Sequence, residues 1–299
     1  MEKRLMITGI NGLLSQNLVQ EFSQEYRIHG IDLNPGIYPE NQRISVAQLD
    51  LTKTDELKHH IHKIKPHVLI HTAAYTNVDR AEEEPETAFA INAKVPAVLA
   101  DLCLELDIPL VHISTDYVFD GQSGPYDESA PCNPQGIYAE SKYAGEKAVL
   151  ESGAKVAVIR PNVMYGRGVQ LKSSFVDWLV KELGQNRSVN IVDDQYNNPT
   201  YASRLAKVIR IILGRKAWDV WHFGSKEIVS RYDFALKVAD IFGLSSELIY
   251  AISTVDLNQR APRPMRSGLI CEKVKRELGI NILSIDEELA LLKEEMDVA

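Results

Sequence analysis

Cysteine is scarce: Cys103, Cys132 and Cys271 are the only three in 299 residues, and they are widely spaced. That excludes a disulfide framework and the paired spacing of a zinc knuckle, and fits a reducing compartment. Basic charge is also in deficit. Against 41 acidic residues stand 33 Lys and Arg, a net charge of −8 with no dense basic run, so a phosphate backbone is repelled and nucleic acid is not an expected partner. The Met-Glu-Lys-Arg start leads directly into a short apolar strand with no signal-like apolar region, and no stretch reads as the roughly 20 apolar residues that cross a bilayer. The expectation is a soluble, cytoplasmic protein without a membrane partner. Internal repeats and low-complexity linkers are missing too. What remains, 45% hydrophobic and 25% charged residues, is enough to bury one large core.

Through the first half, short β-rich runs alternate with helical patterns. Strands are expected at Leu5–Thr8, Ile28–Asp32, Val68–His71, Leu110–Ser114 and Val156–Arg160. Helices are expected near Asn17–Ser23, Asp55–Ile64, Pro85–Leu106 and Tyr138–Glu151. This rhythm predicts an α/β fold, a doubly wound parallel sheet of the Rossmann kind with ligands at the carboxyl ends of its strands. Beyond about residue 161 the rhythm loosens, with helices near Ser174–Leu183, Tyr201–Leu213 and Ser230–Phe242 around strands at Val189–Val192 and Val220–Phe223. The expected division is a dinucleotide-binding unit over 1–161, to which some later segments return, and a mainly substrate-binding lobe over 162–299. The acidic amphipathic stretch Ile285–Met296 reads as a lobe cover or an oligomer contact.

Between the first strand and first helix runs Thr8-Gly9-Ile10-Asn11-Gly12-Leu13-Leu14-Ser15. Gly9 permits a tight turn, and Gly12 lets backbone approach a pyrophosphate at a helix N-terminus. Asp32, 23 residues after Gly9, is spaced to accept from adenosine ribose hydroxyls and to repel a 2′-phosphate, which favours NADH over NADPH; Arg43 nearby is the residue that would reverse this. Asp50-Leu51 is placed to meet an adenine edge, although a helix cap with Thr52 and Thr54 reads as well for Asp50. Thr72-Ala73-Ala74-Tyr75 is slim enough to let a cofactor pass.

Tyr138 and Lys142 stand four residues apart on a helical segment and project from one face. A free phenol, with a pKa of about 10, exchanges protons poorly near neutrality, and an adjacent ammonium is expected to lower it. Thr115, in the Ser114-Thr115-Asp116 strand end, completes the set by hydrogen-bonding a reacting oxygen.

Together with Ala73-Ala74-Tyr75-Thr76-Asn77-Val78-Asp79, Ser114-Thr115-Asp116-Tyr117-Val118-Phe119-Asp120-Gly121, Val192-Asp193-Asp194-Gln195 with Pro199-Thr200, and Arg263-Pro264, these features resemble the extended short-chain dehydrogenases. Within them they are similar to the dTDP-4-dehydrorhamnose reductase family. The resemblance implies hydride transfer from NADH or NADPH to the C4 ketone of a nucleotide-linked 6-deoxysugar. Tyr138 would supply the proton, Thr115 would steady the alkoxide, and Lys142 would hold the cofactor. It also implies substrate contacts from Thr76, Asp116, Val118, Gln195 and Arg263, with a core position the stronger reading for Val118, and a homodimer. That family is known with magnesium at a dimer interface, for which Glu82-Glu83-Glu84 is the one candidate; a plain solvated helix start explains that run better, and no metal site is assigned. The segment Leu57–His71 and the Arg263-Pro264 region also resemble the regulatory beta subunit of methionine adenosyltransferase, which implies a non-catalytic alternative.

Four departures from the reductase pattern surround the substrate side. Ser15 stands at the third glycine position, Val163 replaces a tryptophan, Ser174 replaces an asparagine, and Asn197-Asn198 precedes Pro199. They leave open a reductase or epimerase of a different nucleotide sugar.

Overall fold

The computed structural model describes residues 2–34, 36–38, 43–170 and 174–297. In chain order the first part comprises β1 (Lys3–Thr8), α1 (Leu13–Phe22), β2 (Tyr26–Asp32), β3 (Ile44–Gln48), α2 (Thr54–Ile64) and β4 (Val68–His71). These are followed by α3 (Val78–Ala81), α4 (Pro85–Phe89), α5 (Val95–Glu105), β5 (Leu110–Ile113), α6 (Ile137–Glu151) and β6 (Val156–Pro161).

The second part adds β7 (Met164–Tyr165), α7 (Phe175–Gly184), β8 (Val189–Val192), β9 (Tyr196–Asn197), β10 (Thr200–Tyr201), α8 (Ala202–Arg215) and β11 (Val220–Phe223). It ends with β12 (Val229–Ser230), α9 (Arg231–Phe242), β13 (Ile249–Ile252), α10 (Glu272–Leu278) and α11 (Ile285–Asp297).

Seven strands form one parallel sheet in the order β11-β6-β5-β4-β1-β2-β3. Burial on both faces explains why its central strands read as nearly unbroken apolar runs. Alternation sorts them: Leu5, Ile7, Val68 and Ile70 face a core shared with α1 and α8, while Met6, Leu69 and Leu110 face one shared with α2 and α5. The strand order reverses between β1 and β4, so the turns after Thr8 and His71 open side by side at the switch point where ligands collect.

The sheet is not complete at residue 161. β11 pairs with β6 and α8 packs on α1, so part of the later chain finishes the nucleotide-binding half. The remainder encloses a separate core of Tyr165, Val176, Leu179, Phe234, Val238, Leu289 and Leu292. One expectation is corrected here: Pro85–Glu105 forms a 21-residue helical run long and apolar enough by composition to cross a membrane. Its α5 portion lays Leu99, Leu102 and Cys103 into the sheet core, and a π-helical turn at Ala90–Lys94 interrupts it.

Candidate active site

At the end of β1 the chain turns through Gly9 at φ +69°, where a Cβ would come within 2.9 Å of the Ala73 backbone. Gly12 then caps α1 with no side-chain acceptor on the first-turn amides and no acid in that turn. Those donors and the helix dipole are left for an anion. Ser15, at the third small position, hydrogen-bonds Thr72 at 2.6 Å and ties α1 to the exit of β4.

Asp32 closes the same corner. Its carboxylate accepts from the Asn11 N–H at 3.1 Å and the Asn34 N–H at 3.3 Å, while Asn11 Oδ1 lies buried with no partner. An uncapped helix start, a glycine turn, a carboxylate at the second strand end and an orphaned acceptor together fit a dinucleotide. Ala73, Ala74 and Tyr75 follow β4 beside this turn, with the Tyr75 N–H held by Asn92 Oδ1 at 2.8 Å.

Two expectations are corrected. Arg43 does not approach Asp32: the β2–β3 register sets Asp32 opposite Gln48, and Arg43, at the other end, donates to the Ser23 and Gln24 carbonyls. Asp50 turns its carboxylate onto Thr52, at 2.9 Å to N–H and 2.7 Å to Oγ1, and Leu51 packs into the sheet core. Leu51 is thereby corrected to the core, while Asp50 makes the contact with Thr52 that its alternative reading offered.

The catalytic candidates do converge. Thr115 is buried at the exit of β5, where its hydroxyl accepts from the Tyr117 N–H at 3.2 Å and donates to Asp116 Oδ1 at 3.2 Å. It is also near enough to the Tyr138 phenol to oppose the rise that burial gives it. Tyr138 packs edge-on against Tyr117 with ring centres 5.5 Å apart. One turn along α6, Lys142 is buried with Nζ donating to the Ile113 carbonyl at 2.7 Å.

Electrostatics here differ from the expectation that Lys142 lowers the phenol. Burial pushes Tyr138 above its usual value, opposed by the Thr115 hydroxyl. Burial draws Lys142 down to about 8, opposed by Glu146. The ammonium acts instead on His71 and His112, stacked neighbours on β4 and β5 with centroids 5.4 Å apart; burial, and then Lys142, lowers both. The physical reason is direction, since Nζ points at the strand carbonyl. Asp116, with Oδ2 buried and unpartnered, is raised by burial to about 6.

The candidate substrate contacts divide. Asp116 lies beside Thr115 and Tyr138, and Thr76 is exposed beyond β4. Val118 takes its core reading and not the substrate contact: a tight turn over Asp116–Val118 rotates it inward, fully buried with Phe119, Tyr126 and Leu269. Gln195 is buried and donates to Thr254 at 3.0 Å. Arg263 gives its charge to Asp79 at 2.8 Å, which leaves it poorly placed to neutralise a ligand phosphate. The departures also find structural uses. Ser174 caps α7 in a reciprocal box with Asp177, and Asn198 bridges Ser225 and Leu269.

Two residues, Arg231 and Asn92, escaped the sequence reading, and so did the role of a third, Glu82. Arg231 opens α9 with Nε buried and unpartnered, and its charge acts on Asp116 and Tyr117. A cation in the first turn opposes the helix dipole, and that was the available signal. Asn92 reaches the Tyr75 backbone and Ser141 from the π turn, whose register no periodicity reveals. Glu82 accepts from the Ile137 N–H at 2.8 Å and so caps the catalytic helix. Its neighbours are committed as well, Glu83 to Arg260 and Glu84 to Arg80 and Tyr75. The run is thus neither a plain solvated start nor a free carboxylate cluster.

Comparison with known proteins agrees with this geometry. Residues 3–298 match the family model described as RmlD substrate binding domain. A dTDP-4-dehydrorhamnose reductase of Aggregatibacter actinomycetemcomitans is 32% identical over 290 residues, covering 93% of this chain and 94% of that protein. The methionine adenosyltransferase 2 subunit beta of Rattus norvegicus is also 32% identical, over 93% of this chain and 83% of its own length. Among solved structures, a dTDP-4-dehydrorhamnose reductase from Bacillus anthracis in complex with NADP superposes with a TM-score of 0.89 at 30% identity, covering 99% of this chain and 100% of that one. The match runs from β1 to the last turn of α11, and the chain belongs to the RmlD substrate-binding-domain family.

Proposed function

We propose that this chain is an oxidoreductase that reduces the C4 ketone of a nucleotide-linked 6-deoxysugar with NADH or NADPH, converting dTDP-4-dehydrorhamnose to dTDP-L-rhamnose. The observation that carries the reading is the convergence of Thr115, Tyr138 and Lys142 beside an uncapped, glycine-turned helix start. A bound nicotinamide dinucleotide supplies the hydride. Residues of the Gly9–Leu13 turn and Asp32 would hold it, with Ala73, Ala74 and Tyr75 along its path.

The chain's own residues then manage one proton. Its raised pKa keeps Tyr138 protonated through neutral pH, so its O–H is ready to donate to the ketone oxygen as charge develops there. The Thr115 hydroxyl stabilises the phenolate left behind. Lys142, cationic up to about pH 8, holds positive charge below the site. Arg231 is the uncommitted cation for the substrate's diphosphate, a role Arg263 gives up to Asp79. The test is loss of reduced-nicotinamide absorbance on mixing purified protein, NADH or NADPH, and dTDP-4-dehydro-6-deoxy-L-mannose. No turnover with either cofactor would withdraw the substrate, and turnover of another keto-sugar in preference would reassign it, as Val163 in place of tryptophan invites.

A second reading is a non-catalytic regulatory subunit, favoured by equal identity to the methionine adenosyltransferase subunit. In that case Tyr138→Phe leaves the protein's effect on its partner intact. A lost effect with dinucleotide binding preserved would eliminate it.

A further inference from the structure

Glu146 sits one further turn along α6 from Lys142, so Tyr138, Lys142 and Glu146 follow at four-residue intervals on the face pressed against the sheet. It is fully buried and saturated with donors. Ser114 Oγ lies 2.5 Å from Oε2, Arg160 Nε 3.1 Å from Oε2, and Arg160 Nη2 2.5 Å from Oε1. Ser114 immediately precedes Thr115, and Arg160 lies on β6, two strands from β4 in the sheet order.

We propose that Glu146 is a positioning residue for the reductive site, fixing α6 against β5 and β6 so that Tyr138 and Thr115 meet, and providing the counter-charge for Lys142. The inference rests on the reductase reading for its kinetic consequences, on the hydrogen bonds of Glu146 for its positioning role, and on the four-residue spacing from Lys142 for its electrostatic one. A buried ammonium needs a compensating charge. The groups facing Lys142 from the sheet, His71 on β4 and His112 on β5, are imidazoles, and the bond it makes is to a neutral carbonyl. On its own helix Glu146 is the carboxylate that acts on it.

The groups around Glu146 complete the picture. Arg160 faces it from β6, Ser114 from β5, and Tyr143 from its own helix. Beyond Arg160 lie Cys132 Sγ at 3.3 Å and His222 Nε2 at 3.2 Å, the latter on β11. Arg160 therefore pairs with Glu146 at the sheet, and the Glu146 carboxylate opposes the fall that burial imposes on Lys142. The bridge from the last two strands of the sheet to the catalytic helix runs through one carboxylate.

The experiment uses the whole chain labelled with 13C at lysine Cε, with the Lys142 signal assigned by its loss in Lys142→Met. Its titration midpoint is followed in wild type, Glu146→Gln and Glu146→Asp, alongside kcat, KM and cofactor Kd. In Glu146→Gln the midpoint is expected to fall by about one pH unit, with the alkaline limb of kcat moving down by the same amount. In Glu146→Asp, which keeps the charge but withdraws the bidentate contact, the midpoint stays nearer wild type while kcat falls about tenfold. An unchanged midpoint in Glu146→Gln, with only thermal stability lost, overturns the proposal.

If Glu146→Gln does not fold, Ser114→Ala decides. It keeps the ion pair and should lower kcat several-fold with cofactor Kd unchanged, and wild-type kcat there withdraws the positioning role. Should the chain reduce no keto-sugar at all, the lysine titration still tests the electrostatic half independently of the function.

Discussion

Single residues give the site its most direct tests. Lys142, drawn down to about 8 by burial, predicts that turnover declines as pH rises through 8, where the ammonium loses its proton; a kcat profile flat to pH 10 would contradict this. Asp32, with both oxygens already oriented by Asn11 and Asn34, should favour NADH. Asp32→Ser is expected to raise the NADPH/NADH ratio of kcat/KM about tenfold by removing a repulsive charge. Steady-state kinetics with both cofactors check it, and an unmoved ratio would place discrimination elsewhere. At this scale the sequence was informative where chemistry depends on short spacing. Tyr138 and Lys142 share a helix face because they are four residues apart, and Thr115 sits at a strand end. It left Val118, three residues past Thr115, between substrate and core, and one tight turn rotates that side chain into the core. It gave no sign of the partner of Arg263, since Asp79 lies 184 positions away.

At the scale of elements, most strands and helices could be read from periodicity, and the deviations have local causes. The first helix begins at Leu13 rather than near Asn17, because Gly12 ends the turn and serves as its cap. The long helix expected over Pro85–Leu106 is broken by the π turn that turns Asn92 toward Tyr75 and Ser141. Gly145 of α6 packs directly on the Asn92 carbonyl, where a Cβ has no room. Gly145→Ala should therefore cost about 1–3 kcal/mol in urea unfolding and lower kcat by shifting the catalytic helix; wild-type stability and rate would show the contact to be compliant. The C-terminal helix carries a different device. Glu288 is buried in the lobe, accepting from Tyr165 at 3.0 Å and Ser225 at 2.7 Å with no ion pair among the described residues, and burial raises it to about 7, opposed by these hydroxyls and by Arg204. Because the folded pKa lies above the unfolded one, the folded state gains protons. The carboxyl is tolerated below about 4.5, and stability is lost as pH rises through 7. Glu288→Gln is predicted to stabilise the protein at pH 8 by about 1–3 kcal/mol and to have little effect at pH 4.5. Urea titrations at both values check this, and destabilisation at pH 8 would mean that the ionised form is the one the lobe requires.

For the whole molecule, the doubly wound sheet and its cleft were legible, but the sheet's outer strand was not assigned to it. β11 is contributed by residues 220–223, after the chain has already built part of the second lobe. Long-range pairing of that kind leaves no local pattern. The excursion has a functional result: α9 begins just after β11 and brings Arg231 to the cleft from the lobe side, facing Asp116 and Tyr117 at the sheet. The later chain thus reaches the cleft as well, with Thr115 and Tyr138 coming from the end of β5 and from α6 and Arg231 from α9. The central claim is that Tyr138 is the proton donor in a nicotinamide-dependent ketone reduction. Its most direct test is single-turnover oxidation of bound NADH by dTDP-4-dehydrorhamnose in wild type and Tyr138→Phe. The account predicts a fall of about 10²–10⁴-fold in rate with cofactor Kd within about twofold; equal rates in the two proteins, or no oxidation in wild type, would contradict it.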